Sequence, residues 1–337
     1  MALLNTPAEL KQYVSLDVSQ VPPALALALR EVENTTLALM LGKDLRAWLQ
    51  AQYDAPDFSP TADSLAAELL RRVQRPIARL GVAAGLAEHQ VSIDNTGIHI
   101  LTTETSKTAF QWQTNQLRTQ LEQRGQGDLD ALVQWLEENR DASDELRAWA
   151  ASEAGQRHRR ELFTSTADFQ QYENISAARP VFLALGPVRR RLEAFELARV
   201  LGPDLLQELR EQVRARNLSL DNQHLLRTYV LPALASLTVG HAIVELGLKL
   251  TGDGIELMVA RLDDSNSKEA DAGLDQLMAK RSLEALATGA RYLRQLTRYL
   301  DRTASATRFA PYFHSAAYTA PAPPAARALT AKTFRFC

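Results

Sequence analysis

Histidine, cysteine and paired carboxylates are the usual materials of a catalytic or metal centre, and this chain does not space them for either. Its six histidines, His89, His99, His158, His224, His241 and His314, show no HExxH or Cys/His ligand spacing. The acidic stretch ARLDDSNSKEADAG, residues 260–273, has the composition of a calcium loop, yet Glu269 stands where the sharp turn of an EF-hand needs glycine. A solvated loop and helix cap fits it better. Glu88, Glu245 and His241 could form an acid–base site only between the two halves of the chain, and acids at matching positions are more simply inherited structure. No GxSxG, Walker A or GxGxxG motif is present. The expectation is therefore no enzyme: no catalytic residues, no metal and no cofactor.

Arginine is placed more suggestively. Clusters at Arg71, Arg72, Arg75 and Arg79, at Arg157, Arg159 and Arg160, and at Arg189, Arg190 and Arg191 could meet DNA phosphates or an acidic partner. They read equally as solvated helix faces, because Glu lies beside them and no aromatic residues interleave to stack bases. A second grouping lies in residues 302–337, a stretch with no Asp or Glu and several prolines. Its rings, Phe309, Tyr312, Phe313, Tyr318, Phe334 and Phe336, cannot be buried by so short a segment alone. They predict an extended basic arm that docks on a neighbouring subunit.

The elements that would carry these groups follow from length and composition. The 337 residues exceed the usual span of one domain, and the 46% hydrophobic content with Ala, Leu, Arg, Gln and Glu prominent predicts a helix-rich globular chain. With 38 basic and 40 acidic residues the net charge is −2, so no global field attracts phosphate. The single cysteine, Cys337, cannot form an intrachain disulfide. Residues 21–40 are apolar but broken by Arg30, Glu31 and Glu33, too charged to span a membrane. The segment MALLNTPAELK also lacks the pattern of a secretory signal, so no membrane partner is expected.

The chain then repeats itself. LNTPAELKQY (4–13) matches FTSTADFQQY (163–172), and EVENTTLALMLGKDL matches RLEAFELARVLGPDL, setting Glu33 over Glu193, Leu37 over Leu197 and Gly42 over Gly202. Thr6 with Glu9, and Ser165 with Asp168, have capping-box spacing, with Pro7 at the first helical position. Gly42 and Gly202 predict left-handed helix ends, with Asp44 and Asp204 capping the helices that follow. Further on, Leu80 aligns with Leu237, Glu88 with Glu245, Gly97 with Gly254, Ile98 with Ile255 and Trp135 with Tyr299. Leu65, Leu69, Leu70, Val73, Ile77 and Leu80 keep a helical period, and the turns at 94–97 and 251–254 sit between alternating apolar residues.

The predicted fold is mainly α: two tandem-repeat helical bundles, each with a small inserted β-hairpin, plus an extended C-terminal arm. The expected divisions are helical repeat 1 at 1–141, a helical connector at 142–161, helical repeat 2 at 162–301 and the arm at 302–337.

The opening TPAELKQYVSLDVSQVPPALALALREVENTTLALMLGKDL resembles the start of phage head–tail connector (adaptor) proteins, helical bundles that begin with an LKxYL-like helix. The ordered set LLNTPAELKQY, LGKDL, TGIHI, TSKTAFQW and LFTSTADFQQY is similar to an uncharacterised prophage family over most of the chain to about residue 300. The resemblance implies a structural virion protein: a homo-oligomeric ring between portal protein and tail or stopper proteins, placed at the head–tail junction after assembly in the bacterial cytoplasm. Non-specific contact with packaged DNA would fall to the arginine faces. The tandem copy departs from short connectors and leaves the ring stoichiometry open. The alternative is a bacterial helical scaffold or regulatory binding protein, for which an inter-repeat enzyme site is the more remote variant.

Overall fold

In the computed structural model, whose described residues are 2–89, 91–94, 97–100, 110–246, 248–251, 254–257 and 267–321, the chain is mainly helical and forms two compact units, Met1–Ala184 and Leu185–Cys337. Unit 1 opens with α1 (Pro7–Lys11). The Thr6 side chain accepts the Glu9 N–H while the Glu9 carboxylate accepts the Thr6 N–H, and Pro7 sits in the first turn, so the spacing read from sequence forms the full capping box. Helix α2 (Pro23–Val32) runs through a π-helical turn, Glu33–Leu37, into α3 (Ala38–Tyr53). Next come α4 (Leu65–His89), the antiparallel pair β1 (Val91–Asp94) and β2 (Gly97–Ile100), and α5 (Gln111–Glu138). Short helices α6 (Asp144–Ala151), α7 (Glu153–Gln156), α8 (Thr166–Gln170) and α9 (Arg179–Ala184) complete the unit.

The core of unit 1 sits where the period of α4 predicts. Leu69, Leu70, Val73 and Ile77 are fully buried, against Leu25 and Leu29 of α2 and Leu129, Leu132 and Leu136 of α5. Each such side chain contributes roughly 1.5–3 kcal/mol relative to exposure. Glycine lets α4 and α5 approach: a Cβ at Gly125 would meet Leu80 Cγ at 2.6 Å.

Unit 2 repeats this order. Helix α10 (Gly186–Leu192) passes through a π-helical turn, Glu193–Leu197, into α11 (Ala198–Leu201) and α12 (Pro203–Ala215). Then α13 (Leu220–Leu225) and a third π turn, Leu226–Val230, lead into α14 (Leu231–Leu246). The strands β3 (Leu248–Thr251) and β4 (Gly254–Leu257) pair antiparallel before the long α15 (Ser267–Thr303) and the short α16 (Ala310–Phe313). A Cβ at Gly289 of α15 would meet Leu237 Cγ of α14 at 2.5 Å, the counterpart of Gly125 on Leu80. The same tight helix pair is therefore built twice, from Leu and Gly residues separated by different loop lengths.

Several local expectations change. Gly42 (φ +72°, ψ 173°) and Gly202 (φ +76°, ψ 155°) have positive φ but extended ψ, so neither is a left-handed helix end. Each makes an elbow between helices in a conformation that only glycine adopts readily. Gly202 is itself the N-cap of α12, and Asp204 lies in the first turn, where a carboxylate still favours the helix dipole. Asp168 is too short to complete a capping box: Ser165 caps the Asp168 N–H, but the Asp168 carboxylate accepts the Thr164 hydroxyl instead.

Residues 142–161 do not form one bridging helix. Ser143 and Ser152 each cap a new short helix, with Ser152 in extended backbone, and the segment folds back on α3, where Trp149 Nε1 donates to the Met40 carbonyl at 2.9 Å. The start of the second sequence copy also stays with unit 1: α9 is tied to α5 by the Arg179–Asp130 ion pair, and the Phe169 and Phe182 rings meet edge to face. Residues 302–321 are no extended arm. They fold onto unit 2, and their first rings are buried.

Candidate functional site: two buried glutamates and two glycine elbows

The first polar centre of unit 1 fastens its leading segment. Glu33 opens the π turn and is 2% exposed; its carboxylate accepts the Leu3 N–H at 3.0 Å and Arg46 at 2.9 Å. Gln74, buried on α4, donates to the Leu3 carbonyl at 2.8 Å and to Glu9 at 3.0 Å, and accepts the Tyr13 hydroxyl at 3.1 Å. Tyr53 donates to Glu9 at 2.7 Å. Burial pushes the Glu9 carboxyl up, but hydrogen bonds from Tyr53, Thr6 and Asn5 outweigh it and hold the group below its ordinary value. Burial, with Glu9 beside it, drives the Tyr53 phenol well above its usual range. These hydrogen bonds tie the leading segment to α1, α3 and α4.

Unit 2 keeps the glutamate and changes its partner. Glu193 is 1% exposed and accepts Arg210 at 3.0 Å. Arg210 lies one helical turn beyond the position matching Arg46, which Leu206 occupies, so alignment of the copies hides the pair. The signal available in sequence was a glutamate, Glu33 or Glu193, at the same place in both copies.

The elbows are closed by equivalent elements. Ser152 donates to the Trp149 carbonyl and Ser315 to the Tyr312 carbonyl, both at 2.7 Å. A Cβ on Gly42 would lie 3.1 Å from Ala154 Cβ, and one on Gly202 3.2 Å from Ser315 Cβ. The segments read as a connector and as an arm are thus one element written twice, a lid over the elbow that follows the buried glutamate.

The candidate residues fall accordingly. Tyr312 is fully buried, its hydroxyl donating to Asp301 at 2.8 Å; burial and that carboxylate drive the phenol well above its ordinary range. Phe309 is buried against Tyr299, with ring centroids 6.1 Å apart, beside Tyr229 and His224. Phe313 and Tyr318 pack on each other at 4.8 Å and are half-buried. Four of the six proposed interface rings therefore belong to the packing of unit 2; Phe334 and Phe336 lie outside the described residues.

The arginines are mostly occupied. Arg71 donates to the Pro60 carbonyl at 2.6 Å, Arg72 pairs with Glu68 and lies over the Trp135 ring, and Arg79 pairs with Asp128. Arg157 and Arg160 share Glu153, Arg159 holds Glu137, and Arg191 pairs with Glu245. Arg189 is buried, Arg190 follows it on α10, and Arg75 is exposed. Such pairing uses much of the charge of these clusters inside the fold.

The acid–base trio falls on both units. His241 is half-buried on α14, Glu245 is held by Arg191, and the Glu88 side chain lies outside the described residues. Among the described residues no group of three His, Cys, Asp or Glu side chains is placed to hold a metal. One helical run there, Leu220–Glu245, is long and apolar enough to cross a membrane, and 56% of its most apolar window is buried within the protein, as in a core helix.

This architecture defines a tandem helical-repeat protein, each copy a helical bundle with a glycine elbow. The chain belongs to a family of unknown function, DUF6712, whose model matches it twice, over residues 36–159 and 197–322. Both matches run through the lid element, as the paired serines do. No curated protein and no solved structure matches the chain.

Proposed function

We propose that this chain is a non-enzymatic assembly protein, a head–tail connector or adaptor that forms a ring with copies of itself between a phage portal and the tail or stopper proteins. The observation that carries the reading is how the polar groups are used. Glu9, Glu33, Gln74 and Glu193 all fix one backbone segment or side chain to another. A wedge in a ring needs a shape that does not yield under lateral contact, and clamped helices supply that.

The resemblance of the opening, TPAELKQY through LGKDL, to connector proteins gives the reading its particular form. An inserted β-hairpin between the long helices of each copy is part of it, a projecting element for contact with the next subunit. Exposed apolar side chains at the start of α5, Phe110 (70%) and Trp112 (64%), favour contact with another protein. Ion-paired arginines leave DNA a minor, non-specific partner.

Particles from producing cells, separated on a density gradient and probed for this chain, test the proposal. Co-migration with capsid protein at a low, ring-like copy number is the expected result. Absence from every particle fraction would replace the reading with a scaffold or regulatory binding protein.

A further inference from the structure

The leading segment of unit 1 is attached as a bound peptide would be. Among the described residues no backbone–backbone hydrogen bond joins residues 2–14 to the rest of the unit. Leu3, Leu4, Leu10 and Val14 are buried in the core, and side chains of the receiving helices make the polar contacts. Glu33 accepts the Leu3 N–H, and Tyr53 donates to Glu9. Gln74 is 1% exposed, and every hydrogen bond of its side chain among the described residues goes to this segment, to Leu3, Glu9 and Tyr13. An empty groove would strand that buried amide, so the groove calls for an occupant with this segment's chemistry.

The joint to α2 suits release. Residues 15–22 form no helix or strand, and Ser15, Asp17, Ser19 and Gln20 are exposed. Fully extended, these eight residues reach about 26–29 Å. The joint ends in Val21-Pro22-Pro23, with Pro22 at φ −58° and ψ 145°, and each proline holds the residue before it out of the helical region. An extended, stiff joint keeps the effective concentration of the segment at its own groove below that given by a flexible one.

The second copy has neither part. On the register of Leu80 over Leu237, Leu231 stands where unit 1 has Gln74; on that of Gly42 over Gly202, Val213 stands where it has Tyr53. Phe182 and Leu183, inside α9, take the places of Pro22 and Pro23. Of the two copies, the first alone combines the polar clasp with the extended joint.

We propose that residues 2–14 are an exchange segment: in the assembled protein they seat in the Glu33, Tyr53 and Gln74 groove of a second copy, as they seat in their own groove in the single chain. Identity fixes the occupant, because a second copy carries the same leucines, the same Leu3 backbone and the same Glu9. Exchange of an identical element is a low-cost route to association, and passed from each chain to the next it makes a head-to-tail contact that closes into a ring when the rotation permits. The inference rests on the assembly reading and names the contact that would join one subunit to the next.

The test co-produces two full-length chains, both carrying Cys337→Ser, one with Glu9→Cys on the segment and the other with Tyr53→Cys on the groove. Each has a single thiol, so no link can form within a chain. A short bifunctional thiol reagent should join unlike chains about tenfold more often than two Tyr53→Cys chains. Asn5→Cys, beside Tyr53, repeats the measurement with Glu9 in place. Pro22→Gly with Pro23→Ala, which frees the joint, should lower the unlike links and the association constant from sedimentation about tenfold. Unlike links no more frequent than like ones, or links and association unmoved by the joint variant, overturn the proposal. Exchange in a chain absent from particles removes the connector reading and leaves this proposal standing; a chain present in particles without unlike links does the reverse.

Discussion

The two units solve one structural problem with different side chains. Each has a π turn opened by a buried glutamate, a positive-φ glycine elbow, a pair of long helices drawn together by glycine against leucine, and a serine-fixed lid. Unit 1 closes its lid with Trp149, whereas unit 2 closes it with Tyr312 and buries Phe309 beside it. Duplication preserved backbone demands and released side-chain identity. A conformation such as Gly42's has one tolerable residue, but a core volume can be filled in many ways.

The largest effect should come from emptying the lids. Tyr312→Ala and Trp149→Ala should each cost about 3–5 kcal/mol, and hydrogen exchange should show the loss in unit 2 for the first and in unit 1 for the second. A Tyr312 variant with unchanged protection would return residues 302–321 to a separate arm. Glu33→Ala and Glu193→Ala come next. Each should cost about 3 kcal/mol in denaturant melts, at the low end for breaking a buried pair because Arg46 and Arg210 are partly exposed.

Helix approach gives a smaller, matched pair. Gly125→Ala and Gly289→Ala should each destabilise by about 1–3 kcal/mol through overpacking on Leu80 and Leu237. Gly127→Ala, with nothing within 4 Å of the added Cβ, should be neutral or stabilising by up to about 1 kcal/mol. Equal losses at all three positions would remove close approach as the reason.

The smallest effect is one of pH. Glu9 has its folded pKa lowered, so it favours the folded state above its ordinary value of 4.5 and loses that contribution as acid protonates it. Thermal melts from pH 7 down to 3 should therefore show a steeper loss of stability for the native chain than for Glu9→Gln. Parallel curves would remove Glu9 as the group responsible.

The tandem order of helices, the capping box at Thr6 and Glu9, the buried stripe of α4 and the special backbone at Gly42 and Gly202 were all legible in sequence. Each is a local pattern with a short period or a single-residue conformational demand. The lid elements escaped because residues 142–159 are rich in helix formers and 302–321 in alanine, proline and rings, patterns that suit a helical connector and a docking arm equally well, and the pairing of Trp149 with Tyr312 follows only from the common hydrogen bond of Ser152 and Ser315. Reading Phe309 and Tyr312 as interface anchors rested on a true premise, that such rings need cover. Phe309 finds it on Tyr299 of α15 and Tyr312 beside Tyr318.

By itself the sequence determined a duplicated helical chain whose caps, turns and apolar faces recur in the same order, because those preferences act between residues a few positions apart. The tertiary structure alone decided which charge meets Glu193 and whether an aromatic residue is core or surface. Those outcomes depend on side chains far apart in the chain, where one helical turn of displacement changes the partner while leaving the pattern intact.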